Sequence, residues 1–342
     1  MGRAIDENSV GVYHCRAKCV RGDFLCGGEH AHRKNWIWQR LMLLARIFGI
    51  DALFVAILDN HVHLILRNRP DVVEQWSDAE VMRRAVLAFP YKFRHFGGAK
   101  GPSRRQLSIL LEDQDRIKEM RNRLSSISWL MRQLNQKIAK MANAEDGVSG
   151  HFWDGRFKST PILDGVGLML CAMYVDLNVI RTGQAETPEE SEFTSAQARI
   201  EGMLGRARQE PYAENWDGWL SPISLLEDEQ PGYPKSDSPS AKRATDTGIF
   251  DMPTKDYLRL LDHHGRIQAK GKRGKIPDEL PPIHERLAVK QEAVEECVAN
   301  LEQVFSNVAI AGSADEIDNY NRTKCGRQWT QNLGKLRDLF GN

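Results

Sequence analysis

Two histidines separated by a single residue are the feature of this sequence best suited to bind a metal ion. His61 and His63 flank Val62 in the segment DNHVHLILR (59–67), whose apolar residues predict a β-strand. Side chains two residues apart on a strand point to the same face, and their Cα atoms are about 6–7 Å apart. Two neutral imidazoles placed in this way can hold one divalent ion. An H-x-H pattern on a strand also occurs for structural reasons, so the pair alone does not establish a site.

A tyrosine and an asparagine near the end of a predicted helix form a second feature. Tyr174 and Asn178 lie four residues apart in MYVDLNVIRTG (173–183), and this spacing places them on one helical face. A phenol can act as a covalent nucleophile where a metal ion or positive charge stabilises the leaving group. An amide oxygen suits a hard cation. The alternative is a tyrosine at the core boundary that is hydrogen-bonded at a helix end.

Aromatic and basic residues alternate in a third segment, GHFWDGRFKS (150–159). Phe152 and Trp153 are followed by Arg156 and Lys158. This interleaving is typical of a surface that stacks on unpaired bases and contacts phosphates. It also fits a buried aromatic turn that carries exposed basic residues.

Together with SSISWLMRQLNQ (125–136), these segments resemble the REP-associated tyrosine transposases. That family is related to the single-strand insertion-sequence transposases and carries an HUH histidine pair and a single tyrosine. Its motifs have the forms N-H-x-H-hydrophobic, G-x-F-W-x-x-R-F-K-S and Y-x-x-x-N-P-hydrophobic-R-x-G, and they occur here in order. The resemblance covers about residues 10–200, and VYHCRAKCVRGDFLCGG (12–28) is similar to the first strand of a longer-chain subgroup.

The sequence departs from the family pattern at two places. Val179 follows Asn178 where the family has proline, and Leu58-Asp59 replaces the usual pair before the histidine motif. Neither departure removes a group that the family uses for catalysis.

The resemblance implies an HUH tyrosine DNA endonuclease and transposase that nicks and transfers single-stranded DNA. His61, His63 and Asn178 would bind Mg²⁺ or Mn²⁺. Tyr174 would attack a DNA phosphodiester, forming a 5′-phosphotyrosine and releasing a 3′-hydroxyl. The expected partner is single-stranded DNA with a hairpin formed by a palindromic repeat.

Several alternatives stay open at this point. One alternative is a non-catalytic hairpin-binding protein on the same fold, although binding alone does not require all of His61, His63, Tyr174 and Asn178. Another is a replication-initiator or relaxase-type HUH nuclease, which would share the chemistry, although the GHFWDGRFKS and YVDLN segments resemble the transposases more closely. Family members occur as monomers and as domain-sharing dimers, so both a monomer and a homodimer are compatible with the resemblance.

The elements that must position these groups follow from the spacing of apolar residues. The sequence predicts strands at 10–20, 51–58, 61–67 and 156–162, and helices at 32–50, 78–89, 116–141 and 163–180. Asp59-Asn60 lies between two apolar runs and predicts a hairpin turn. This order matches an α+β, ferredoxin-like split βαβ domain at 8–182, with helices on an antiparallel sheet. An acidic connector with some helix follows at 183–254, and a mainly helical accessory domain at 255–342.

The composition is that of an ordinary globular protein, with 41% hydrophobic and 27% charged residues among 342. The sequence has no 18-residue apolar run and no secretory signal, which predicts a cytoplasmic protein without a membrane partner. It also has no P-loop motif, which argues against a P-loop ATPase.

The net charge of +1 hides two basic segments without acids, residues 82–105 and 265–275, which favour a polyanionic partner. The predicted DNA contacts are Arg83, Arg84, Lys92, Arg94, Arg104, Arg105, Phe152, Trp153, Arg156, Lys158, Arg181, Lys272 and Arg273.

Overall fold

A four-stranded antiparallel sheet carries the predicted histidine pair, His61 and His63. The computed structural model describes residues 5–97, 101–204, 218–224 and 242–287. The strands are β1 (Gly11–Lys18), β2 (Ile50–Ile57), β3 (His61–Asn68) and β4 (Lys158–Ile162). They are ordered β2-β3-β1-β4, so β1 pairs with β3 on one side and with β4 on the other. The expected α+β class, an antiparallel sheet with helices packed on it, is therefore observed.

Helices make up most of the remaining described chain. They are α1 (Arg33–Ile47), α2 (Pro70–Gln75), α3 (Asp78–Ala88), α4 (Arg104–Leu110), α5 (Gln114–Leu124), α6 (Ile127–Glu145), α7 (Gly165–Arg181), α8 (Ser195–Met203), α9 (Thr254–Arg266) and α10 (Ile283–Arg286). Among the described residues, no helix is both long and apolar enough to cross a membrane.

Different helices bury the two faces of the sheet. Cys15 and Leu64 belong to one core, which also contains apolar residues of α1, α3, α5 and α6. Ile65 and Phe54 belong to a second core with α7, α8 and α9. Because side chains alternate between faces along a strand, His61 and His63 share the face of Ile65, which lies under α7. We call this the α7 face.

The hairpin between β2 and β3 forms where the sequence predicts it. The backbone N–H of Leu58 donates to the oxygen of His61 at 2.9 Å, across Asp59-Asn60. Chain segments outside the hairpin hold this turn, because the N–H groups of Cys19 and Cys26 donate to the oxygens of Asn60 (2.8 Å) and Asp59 (2.7 Å). The start of β3 is therefore fixed from both sides.

The predicted long helix at 116–141 is wrong, because two helices, α5 and α6, occupy this region. The break lies at Ser125-Ser126, where the Ser126 hydroxyl accepts a hydrogen bond from the N–H of Trp129 at 3.3 Å and caps α6. Both helices bury apolar residues in the same core, so the apolar spacing continues across the break and conceals it.

The described parts of the predicted acidic connector pack against the sheet. Trp219 is buried against Trp38 with ring centroids 5.1 Å apart, and the N–H of Ser221 donates to the oxygen of Ala52 in β2 at 2.9 Å. The predicted domain boundaries themselves stay a prediction. Residues 288–342 of the predicted accessory domain lie outside the described residues.

Candidate active site

Three histidines from two neighbouring strands meet on the α7 face. His14 in β1 is paired with Ile65 and is therefore a diagonal neighbour of His63 in β3. The rings of His14 and His63 are stacked, with centroids 5.0 Å apart, and the His61 and His63 centroids are 4.8 Å apart. His14 is not among the predicted site residues. The alternation of side chains along β1 is a signal for this position. Cys15 is buried in the core on one face, so the neighbouring His14 lies on the other face.

Hydrogen bonds orient the two rings of the histidine pair. The Nδ1 atom of His61 lies 2.6 Å from Oδ1 of Asn60, and Nδ1 of His63 lies 2.8 Å from Nε2 of His14. An amide oxygen only accepts, so Nδ1 of His61 carries the hydrogen and Nε2 keeps its lone pair. When Nδ1 of His63 donates to Nε2 of His14, the Nε2 atom of His63 also keeps its lone pair. This outer hydrogen bonding is the arrangement found around metal-binding histidines.

Burial keeps these imidazoles neutral. Burial, together with the positive charges of Arg16 and Lys18, lowers the pKa of His61 to about 4. Burial followed by the charge of Arg16 lowers the pKa of His14 to about 4. The pKa of His63 lies well below its ordinary value, mainly through burial. A neutral imidazole is the form that donates a lone pair to a metal ion.

Helix α7 brings Tyr174 to the histidines. The tyrosine ring stands edge-on to His63, with centroids 5.5 Å apart, and to His14 at 6.1 Å. Its side chain is half-buried. Asn178 lies one turn further along α7 and is 4% exposed. Its assignment as a metal ligand stays a prediction.

A buried carboxylate fixes the position of α7. Asp176 accepts hydrogen bonds from the hydroxyl of Ser195, the N–H of Ala196 and the hydroxyl of Tyr257, the last at 2.7 Å. Burial raises the pKa of Asp176 above its usual value, and the hydrogen bonds from these donors offset only part of that rise. The bonds connect α7 to the first turn of α8 and to α9, and so hold Tyr174 two residues away. Asp176 is not among the predicted site residues, although an acid between Val175 and Leu177 on an apolar helix is a signal of such a role.

Cations surround the exposed side of the histidine pair. In the strand register, Arg16 is the partner of His63 and Lys18 is the partner of His61. Lys158 of β4 is paired with Arg16 on its other side. All three cations are exposed. Lys158 is among the predicted DNA contacts, whereas Arg16 and Lys18 are not.

The loop after α9 also reaches this region. The Arg181 guanidinium donates to the backbone oxygens of Ile267 (2.6 Å) and His264 (2.9 Å). In return, the N–H of Arg273 donates to the oxygen of Arg181 at 3.2 Å. These contacts bring Lys272 close enough for its charge to lower the pKa of His61 and His63, after burial and other charges.

Three of the predicted DNA contacts are buried in the protein, and their predicted roles are corrected. Phe152 is 3% exposed and Trp153 is 8% exposed, and the indole N–H of Trp153 donates to the oxygen of Asn135 at 3.1 Å. Neither ring is available to stack on a base, because large aromatic surfaces gain more from burial in the core. Arg181 is 4% exposed and is engaged by backbone oxygens, so it does not contact DNA directly.

The structure separates the predicted basic segment 82–105 from the histidines. Arg83 and Arg84 in α3 both pair with Glu80, and Lys92 pairs with Glu119 at 2.6 Å. Helix α3 packs in the core on the face of the sheet opposite to α7. Three other predicted contacts in this segment are exposed, namely Arg94, Arg104 and Arg105. Outside the segment, Arg156 and Arg273 are exposed as well. Lys158, through its pairing with Arg16, and Lys272, through the effect of its charge on the histidines, are predicted contacts that lie near the histidine pair.

Comparison with known proteins gives one distant structural likeness. No family model and no curated protein matches the sequence. A solved structure of a REP-associated tyrosine transposase bound to a REP hairpin is similar over 57% of this chain and 82% of that chain, with 11% identity and a TM-score of 0.33. At this TM-score the likeness assigns no function. A functional proposal for this chain therefore rests on the geometry of the site.

Proposed function

We propose that this protein is a metal-dependent enzyme that nicks single-stranded DNA and transfers the strand through Tyr174. The observation that carries the proposal is the position of Tyr174 beside His63 and His14. A tyrosine on α7 stands within 5.5 Å, ring to ring, of His63, whose partner His61 shares the same sheet face. A nucleophile beside a pair of oriented, neutral imidazoles that can bind a metal ion is a constellation suited to phosphodiester cleavage.

The proposed step exchanges one ester bond for another. The phenolic oxygen of Tyr174 attacks the phosphorus of a DNA phosphodiester, forming a tyrosine–phosphate bond to the 5′ side. The bond from phosphorus to the 3′ oxygen breaks, and this oxygen takes up a proton while the phenol gives one to solvent. The reverse attack by a 3′-hydroxyl reseals a strand without a further energy source. Strand transfer follows when the attacking hydroxyl belongs to another strand.

The donor set of the site fits a divalent metal ion. The Nδ1 atoms of His61 and His63 are both engaged by hydrogen-bond partners, which directs the Nε2 atoms toward a ligand. Asn178 is proposed to contribute its amide oxygen, and Mg²⁺ or Mn²⁺ is the proposed ion. When bound, the ion would stabilise negative charge on the phosphate and on the leaving oxygen.

The order of the strands supports a ferredoxin-like HUH arrangement. Helix α1 connects β1 to β2, and β3 lies between these two strands, which is the split βαβ pattern. The exposed cations beside the histidines support a nucleic-acid strand as the substrate. On the family resemblance, we propose that the substrate contains a hairpin-forming repeat.

A cleavage assay tests the proposal. The protein is incubated with single-stranded oligonucleotides from palindromes that flank its gene, in Mg²⁺, Mn²⁺ or EDTA, and covalent protein–DNA adducts are separated on a denaturing gel. We expect a metal-dependent adduct that is absent from Tyr174→Phe. Tyr91→Phe is the matched control, since Tyr91 is 80% exposed and lies outside the site.

The outcomes separate the candidate functions. An adduct that Tyr174→Phe abolishes and Tyr91→Phe retains would support the proposal, and peptide mass mapping would place the phosphate on Tyr174. Tight hairpin binding without any adduct would reject cleavage and favour a non-catalytic hairpin-binding protein.

A further inference from the structure

Two cations lie side by side on the sheet next to the histidine pair. Arg16 in β1 is paired with His63 of β3 on one side and with Lys158 of β4 on the other. Residues directly opposite in an antiparallel pair have their side chains on the same face, with Cβ atoms about 4.5–5.5 Å apart. Arg16 and Lys158 are both exposed. The row His63, Arg16, Lys158 therefore runs across three neighbouring strands of the α7 face.

No protein carboxylate compensates this pair of charges in the described part of the chain. Neither Arg16 nor Lys158 forms an ion pair or a side-chain hydrogen bond with a residue in those ranges, whereas Arg67, further along β3, pairs with Asp51 at 2.8 Å. Like charges directly opposite each other destabilise a strand pair. An anion bound between them would relieve this repulsion, so the pair has the character of a binding site rather than of a structural contact.

We propose that Arg16 and Lys158 bind a phosphodiester group of the DNA strand at the reacting centre. The identity of the anion rests on the proposed function. A planar guanidinium can donate to two phosphate oxygens at once, and an ammonium adds a further donor. Because Arg16 is the strand partner of His63, a phosphate held there lies next to the histidine pair and to Tyr174. Lys18, which is opposite His61, extends the same cationic row.

The test compares Arg16→Gln and Lys158→Gln with a matched control. Arg46→Gln is suitable, because Arg46 is exposed at the end of α1, which packs on the other face of the sheet. Binding of a fluorescent single-stranded oligonucleotide is measured by anisotropy in EDTA over a range of salt concentrations. We expect Arg16→Gln and Lys158→Gln each to raise Kd by about tenfold at low salt. Each should also reduce the slope of log K against log salt by about 0.7, the value for one single-strand phosphate contact.

Thermal unfolding without DNA gives an independent readout. A residue that only supports the fold loses stability when it is replaced, whereas removal of one charge from a repulsive pair should leave Tm unchanged or raise it. Arg16→Lys keeps the charge but loses the paired donors of the guanidinium, so its affinity should lie between those of the wild type and Arg16→Gln, which separates loss of charge from damage to the strand.

Failure of this inference is distinguishable from failure of the proposed function, because binding in EDTA requires no cleavage. Affinity of Arg16→Gln equal to that of the wild type or of Arg46→Gln would overturn the inference, even if the wild type forms the Tyr174 adduct. Weakened binding by Arg16→Gln in a protein that never forms an adduct would support the phosphate site and reject cleavage.

Discussion

Replacement of Tyr257 by phenylalanine should weaken the contact that ties α9 to α7. The Tyr257 hydroxyl donates to Asp176 at 2.7 Å, and both residues are fully buried. The ring also packs against Phe54 and Phe250, with centroids 5.5 and 6.0 Å away. The substitution removes only the oxygen, so this aromatic packing should survive and the hydrogen bond alone should be lost.

The magnitude follows from the kind of bond that is removed. A hydrogen bond to a charged group contributes about 1.5–3 kcal/mol, and its loss leaves the buried carboxylate of Asp176 with fewer donors. Ser195 and Ala196 still donate to that carboxylate, which limits the penalty. We therefore expect the free energy of unfolding to fall by about 2 kcal/mol. For a chain of 342 residues that unfolds as one unit, this corresponds to a decrease in Tm of roughly 3 °C.

Urea unfolding followed by circular dichroism measures this change, with Tyr91→Phe as the control. Tyr91 is 80% exposed, so its hydroxyl should contribute less than about 0.5 kcal/mol. A double-mutant cycle with Asp176→Ala then isolates the bond, since Tyr257→Phe should cost little once the carboxylate is gone. A Tyr257→Phe variant as stable as the wild type would refute the reasoning. An equal loss in the Asp176→Ala background would refute it as well.

Three further substitutions test other parts of the structure. His14→Phe keeps a ring beside His63 but removes the hydrogen-bond partner of His63 Nδ1. The affinity for Mn²⁺, measured by calorimetry, should therefore fall about tenfold or more, and an unchanged affinity would contradict the role of His14 in orienting His63. Arg181→Ala removes buried hydrogen bonds to two backbone oxygens and should lower the free energy of unfolding by about 3 kcal/mol in urea titrations, and a loss below about 1 kcal/mol would show that the anchor is unimportant. Trp153→Phe should cost about 1–2 kcal/mol of stability and leave oligonucleotide affinity unchanged, because the indole is buried. Weaker binding by a folded Trp153→Phe protein would restore the predicted base-stacking role.

Local patterns in the sequence were sufficient for the parts of the fold that depend on neighbouring residues. The apolar residues of 61–67 predicted β3, whose two-residue period placed His61 and His63 on one face, and Asp59-Asn60 predicted the hairpin turn that precedes them. Helical spacing predicted α7 with Tyr174 and Asn178 one turn apart. The same reasoning failed at Ser125-Ser126, because apolar spacing alone does not detect a cap between two helices that share one core.

The sequence by itself thus determined the histidine pair, the tyrosine and the elements that carry them, since strand and helix periodicity act over a few residues. Only the tertiary structure placed His14 and Arg16 beside that pair, because strand register joins β1 to residues far along the chain. Burial also became visible only in the folded chain. It removed Phe152 and Trp153 from the predicted DNA surface and made Asp176 the anchor of α7. Contacts between distant segments decide which side chains face solvent, and no local spacing in the sequence carries that information.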